Sequence, residues 1–83
     1  MTEVLPLKML TAGQAGQVSQ VLGDVDTVRR LAELGMRAGE RVEMLQHGSP
    51  CIVRLGDSRL SSGRLCFREG DALNVLVELE RAG

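Results

Sequence analysis

The side chains of this chain that could do chemistry are few and scattered. One histidine, His47, and two cysteines, Cys51 and Cys66, are its whole stock of imidazole and thiol groups. With carboxylates such as Glu43 and Asp57, they could ligate a transition metal, which wants three or four donors in fixed geometry. His47 and Cys51 are close in sequence, but a turn lies between them, and no CxxC or HxxE spacing occurs. An internal metal site is therefore not expected. The remaining metal reading is a pooled one, in which His47, Cys51 and Glu43 of two subunits meet across a two-fold axis. Such a homodimer would hold zinc or ferrous iron at a surface or dimer contact. Cys51 alternates with Val53 and Leu55 and is expected to pack inward. Cys66 sits between Arg64 and Arg68, and would be reactive only if exposed in that positive setting. Catalysis has little support. Ser49 follows His47 by two residues, without the glycine-framed nucleophile pattern. Gly13-Gln14-Ala15-Gly16 lacks the lysine and helix of a phosphate-binding loop. The expectation is a protein that is not an enzyme and requires no cofactor.

Composition narrows the classes further. The chain has 83 residues, 43% hydrophobic and 25% charged, with a formal net charge of −1. That describes one soluble domain spanning 1–83, with a core only just large enough to fold unaided. No apolar run is long enough to span a bilayer, and the first ten residues do not form a secretory signal. The cytoplasm is the expected compartment, where both thiols stay reduced. Aromatic residues are limited to Phe67. Single-stranded nucleic acid binders stack bases on aromatic rings, and duplex binders carry a basic footprint, so nucleic acid is not an expected partner. The basic residues gather in one place only, at Arg29, Arg30, Arg37 and Arg41. A solvated helix face accounts for them more simply than phosphate binding.

These residues must be positioned by short strands and one helix. Residues 4–9 alternate with Leu5, Leu7 and Met9 on one face, and Pro6 places that strand at an edge. Residues 17–22 read as a strand with Val18, Gln20 and Leu22 on one face. A helix is expected over 25–34, with Asp24 as N-cap and Gly35 as its stop. Val28, Leu31 and Ala32 share its apolar face, Asp26 and Arg30 form an i, i+4 pair, and Leu34 falls at the margin, exposed together with Met36. Val42 and Met44, then Cys51, Val53 and Leu55, alternate as buried strand faces. Gly56-Asp57-Ser58 has hairpin chemistry, with 59–62 as the return strand. Residues 68–72 read as a turn or one helical turn. The closing strand carries Leu73, Val75, Val77 and Leu79 on one face. Five to six short strands in so small a chain hide their edges best as a partly open barrel, plugged at one end by the helix.

The run Arg29-Arg30-Leu31, Glu33-Leu34-Gly35-Met36 and Gly39 carries a family resemblance, with LPLKML before it and a closing LNVLVEL after it. From about Leu7 to Val77 the chain resembles the ferrous-iron transport protein A (FeoA) family, small bacterial cytosolic proteins with an SH3-like barrel. A related domain forms the C-terminal module of iron-dependent repressors. No helix-turn-helix precedes the match here, so the stand-alone form is the expectation. Residues 61–64 depart from the family pattern by what looks like an insertion. The resemblance implies an accessory role beside the membrane ferrous-iron transporter FeoB, by docking on its cytosolic GTP-binding domain and altering transport or nucleotide turnover. A metal-responsive regulator and a corepressor-like module are the alternatives. With no aromatic groove for proline-rich peptides, a docking surface would be aliphatic, centred on Leu34 and Met36 with Arg29, Arg30 and Arg37 around them. The same aliphatic residues could instead plug the barrel.

Overall fold

A computed structural model describes residues 3–56 and 63–80. The elements run β1 (Val4–Pro6), β2 (Ala15–Val21), α1 (Val25–Glu33), β3 (Arg41–Gln46), β4 (Cys51–Leu55), β5 (Gly63–Phe67), α2 (Glu69–Leu73) and β6 (Val75–Leu79). All six strands join one antiparallel sheet in the order β1-β6-β2-β3-β4-β5. The fold is mainly β, an open six-stranded sheet with two helices. β6, the last element, is inserted between β1 and β2, so the closing LNVLVEL run ties the N-terminal strand to the rest of the sheet.

The core is the inner face of this sheet. Val18, Val42, Met44, Cys51, Val53, Phe67, Val75 and Val77 line it from the strands, and Leu7, Leu10, Leu31 and Met36 come in from the helix and connections. No polar side chain is buried among the described residues. The helix contributes Leu31 to the core, with Val28 and Ala32 half-buried beside it.

Three local expectations are corrected by the backbone. The first strand ends at Pro6, and Leu7–Met9 is a 3-10 turn. At three residues per turn Leu7 and Leu10 stack on one side and are fully buried, while Met9 is turned outward. In β2 the register with β6 shifts between Val18 and Gln20. This bulge breaks the alternation, so Gln20 faces solvent and Val21 packs against the core in its place. The return strand from β4 is Gly63–Phe67, in register Leu55 with Gly63 and Cys51 with Phe67. Residues 57–62, including Asp57 and the 59–62 segment expected as that strand, lie outside the described residues. The helical turn expected over 68–72 is present as α2. Leu73 ends α2 and is exposed, so it does not share the buried face of Val75 and Val77.

One glycine is required by packing alone. Gly16 sits in β2 opposite Leu79 of β6. A Cβ there would overlap the Glu78 carbonyl oxygen and stand 2.8 Å from Val77 Cγ1. No side chain fits between these two neighbouring strands.

Candidate functional site

The segment from Asp24 to Gly39 is built by local rules that the sequence carries. Asp24 has extended backbone, and its Oδ1 accepts from the Thr27 N–H at 2.7 Å. That bond, together with the Thr27 hydroxyl, holds the Asp24 carboxyl below the ordinary value of 3.8. A depressed folded-state pKa means stabilisation that is present above 3.8 and is lost as pH falls through the folded value. Asp24→Asn keeps the acceptor and removes the charge. The acid limb of the thermal-midpoint profile is therefore expected to be shallower in Asp24→Asn than in the native chain. Identical acid limbs would show that the cap does not titrate with folding.

The helix ends in a paired-hydrogen-bond glycine cap. Gly35 has φ 101°, its N–H donates to the Ala32 carbonyl at 3.0 Å, and the Met36 N–H reaches back to the Leu31 carbonyl at 2.9 Å. This Schellman geometry brings the residue after the glycine onto the helix's last inward turn, where an apolar pair commonly forms. Here that pair is Met36 with Leu31, and both are 0% exposed. Met36, expected to be exposed with Leu34, is therefore a core residue and is not available to a partner. Leu34 is the C-cap, 47% exposed.

The expected ring of arginines divides. Arg30 stands one turn before Leu34 on the same helix face. Its Nη2 pairs with Asp71 of α2 at 2.8 Å, in place of the expected Asp26 partner. Arg41 is engaged by Glu80 at 2.6 and 3.3 Å. Arg37, in the turn after Gly35, is exposed and makes no ion pair among the described residues. Arg29 is exposed too, but at five residues from Leu34 it points roughly 140° away around the helix. Helix spacing thus sets Arg30 on the face of Leu34 and Arg29 on another side, with Arg37 exposed in the turn that follows.

The metal candidates are separated. Cys51 is 2% exposed on the core face, and burial raises its thiol above the ordinary 9.0. Glu43 belongs to the opposite face of the sheet, where Arg54 lies 3.4 Å from its Oε1. His47 is exposed in the β3–β4 turn, its Nδ1 2.9 Å from the Leu10 carbonyl oxygen. The physical reason is strand alternation: Val42 and Met44 point inward, so Glu43 between them points out, while Cys51 points in. No three His, Cys, Asp or Glu side chains gather to hold a metal ion among the described residues. Cys51 is thereby removed as a ligand at a surface or dimer contact. Both cysteines are free. Because Cys51 pairs with Phe67 in register, the neighbouring Cys66 lies on the other face of the sheet and is exposed. A thiol-alkylating reagent is expected to label one cysteine per native chain, Cys66, and both after denaturation. Peptide mass spectrometry showing Cys51 labelled at a similar rate in the native state would contradict its burial.

A sequence model described as the FeoA domain matches residues 5–79. The chain belongs to the FeoA family. Solved FeoA structures have the same fold. An iron uptake regulatory protein (FeoA) is 24% identical with a TM-score of 0.84, covering 94% of this chain and 100% of its own. Stenotrophomonas maltophilia FeoA, solved in complex with zinc and described as a prokaryotic SH3 domain protein, is 31% identical with a TM-score of 0.70, covering 93% of this chain and 88% of its own. A manganese-dependent transcriptional repressor shares the fold over 44% of its length, at 17% identity and a TM-score of 0.82 over 96% of this chain. Among curated protein sequences, none matches significantly. The family neighbours are SH3-like, which accords with the open antiparallel sheet of this FeoA chain.

Proposed function

We propose that this FeoA chain is a non-enzymatic accessory protein of ferrous iron uptake. It docks on the cytosolic GTP-binding domain of the membrane transporter FeoB and modulates transport or GTP turnover. The family supports the iron-transport setting, and the solved Stenotrophomonas relative is described as a candidate ferrous iron transport activating factor. No helix among the described residues is long and apolar enough to cross a membrane.

The observation that carries the docking reading is Leu34. A large aliphatic side chain is held half in solvent by the helix cap, with Arg30 one turn before it and Arg37 just after it. An apolar anchor bordered by guanidinium groups is the composition that protein interfaces favour at their energetic centre. Arginines at the border select a partner surface that is acidic around an apolar pocket. The test is a chemical-shift titration of the isotope-labelled chain with the transporter's GTP-binding domain. Saturable shifts centred on Leu34 and Arg37 are expected. Their absence, with both proteins folded, overturns the docking reading.

A further inference from the structure

We propose that a second site, sharing only Arg30 with the docking surface, binds a phosphate group in the cleft between α1 and the β5–α2 junction. The cleft has a volume of about 490 Å³ and is lined by Arg30, Cys66, Arg68, Gly70 and Asp71. Its walls are mostly polar. Apolar small-molecule sites in this size range depend on hydrophobic walls, which are lacking here. Two guanidinium groups against one carboxylate leave the lining net positive and disfavour a cation. A compact oxyanion is the ligand that fits.

The arginines converge from different elements. Arg30 comes from α1, and its guanidinium is already fixed at the cleft by the 2.8 Å contact with Asp71. Arg68 lies between β5 and α2, is exposed, and makes no ion pair among the described residues. A guanidinium with no carboxylate is the group that a phosphate would engage by paired N–H donors. Gly70 leaves that part of the rim bare, since a Cβ at this position would meet nothing within 4 Å. Asp71 stands in the phosphate's place against Arg30. Binding therefore exchanges one anion for another at Arg30 and adds Arg68.

This exchange makes opposite demands on two variants outside the docking surface. Inorganic phosphate is titrated into the labelled native chain at constant ionic strength. Saturable shifts of the Arg30 and Arg68 side-chain N–H groups and the Gly70 amide are expected, with slower alkylation of Cys66. Arg68→Gln is expected to weaken binding roughly tenfold. Asp71→Asn is expected to tighten it severalfold, because Arg30 loses its competitor. A nucleoside diphosphate titrated in parallel separates the sources. Tighter binding than inorganic phosphate assigns the cleft to a nucleotide, and equal binding assigns it to the free anion. Shifts that chloride reproduces at equal ionic strength overturn the proposal. So does phosphate affinity that is unchanged in both variants.

Discussion

Leu34→Asp is expected to leave this FeoA domain folded and abolish its binding to the GTP-binding domain, whereas Met36→Asp is expected to unfold it. The two residues are two positions apart and differ by everything that matters. Leu34 is half exposed, and Met36 is fully buried against Leu31 and the sheet. An exposed substitution usually stays within about 0.5 kcal/mol. Asp at the last helical turn adds a mild dipole penalty of about 0.3–1 kcal/mol, and Leu34→Gln controls for it without charge. An anchor at an interface centre is worth about 2 kcal/mol or more, or roughly thirtyfold in affinity. At Met36, even alanine is expected to cost about 2–5 kcal/mol through the cavity it leaves. A buried aspartate adds the desolvation of a charge. Circular dichroism melts and the same shift titration measure both outcomes. Unfolding of the Leu34 variant would put Leu34 in the core, and intact binding by a folded Leu34→Asp would remove it from the docking surface.

The other large effect is expected at Gly16. Gly16→Ala forces a methyl group against the Glu78 carbonyl and Val77 of β6. The obstacle is the backbone of β6, a strand paired on both sides, so it cannot yield cheaply. Overpacking of this kind costs about 1–3 kcal/mol and sometimes more. A domain of 83 residues has a total stability on the order of 4–12 kcal/mol. Denaturant titration should show a large fall in midpoint. Gly70→Ala is the control, since its Cβ meets nothing, and replacing glycine inside α2 is expected to be neutral or stabilising by up to about 1 kcal/mol. Equal midpoints for Gly16→Ala and the native chain would mean that β2 and β6 are not held as closely as the structure has them.

Much of this was legible residue by residue. Asp24 as cap, Gly35 as stop, the inward alternation of Val42, Met44, Cys51 and Val53, and the closing strand all follow from local rules, and all are present. Even the burial of Met36 had a signal in the sequence. A glycine-ended helix with Leu31 and Met36 placed on either side of the cap is the Schellman pattern, whose apolar pair turns inward. The β2 bulge left only one sign in the sequence, a polar Gln20 on the face of Val18, because a bulge is decided by which strand lies alongside, and β6 is more than fifty positions away.

The kind of element at most positions, the apolar face of each, and membership of the FeoA family were determined by the chain's own residue order, because capping, glycine stops and strand alternation act between near neighbours. Tertiary structure alone decided which side chains share a site. It drew Arg30 to Asp71 and brought Arg68 beside them. Such pairings join residues tens of positions apart. They depend on strand order and register, which no local rule specifies.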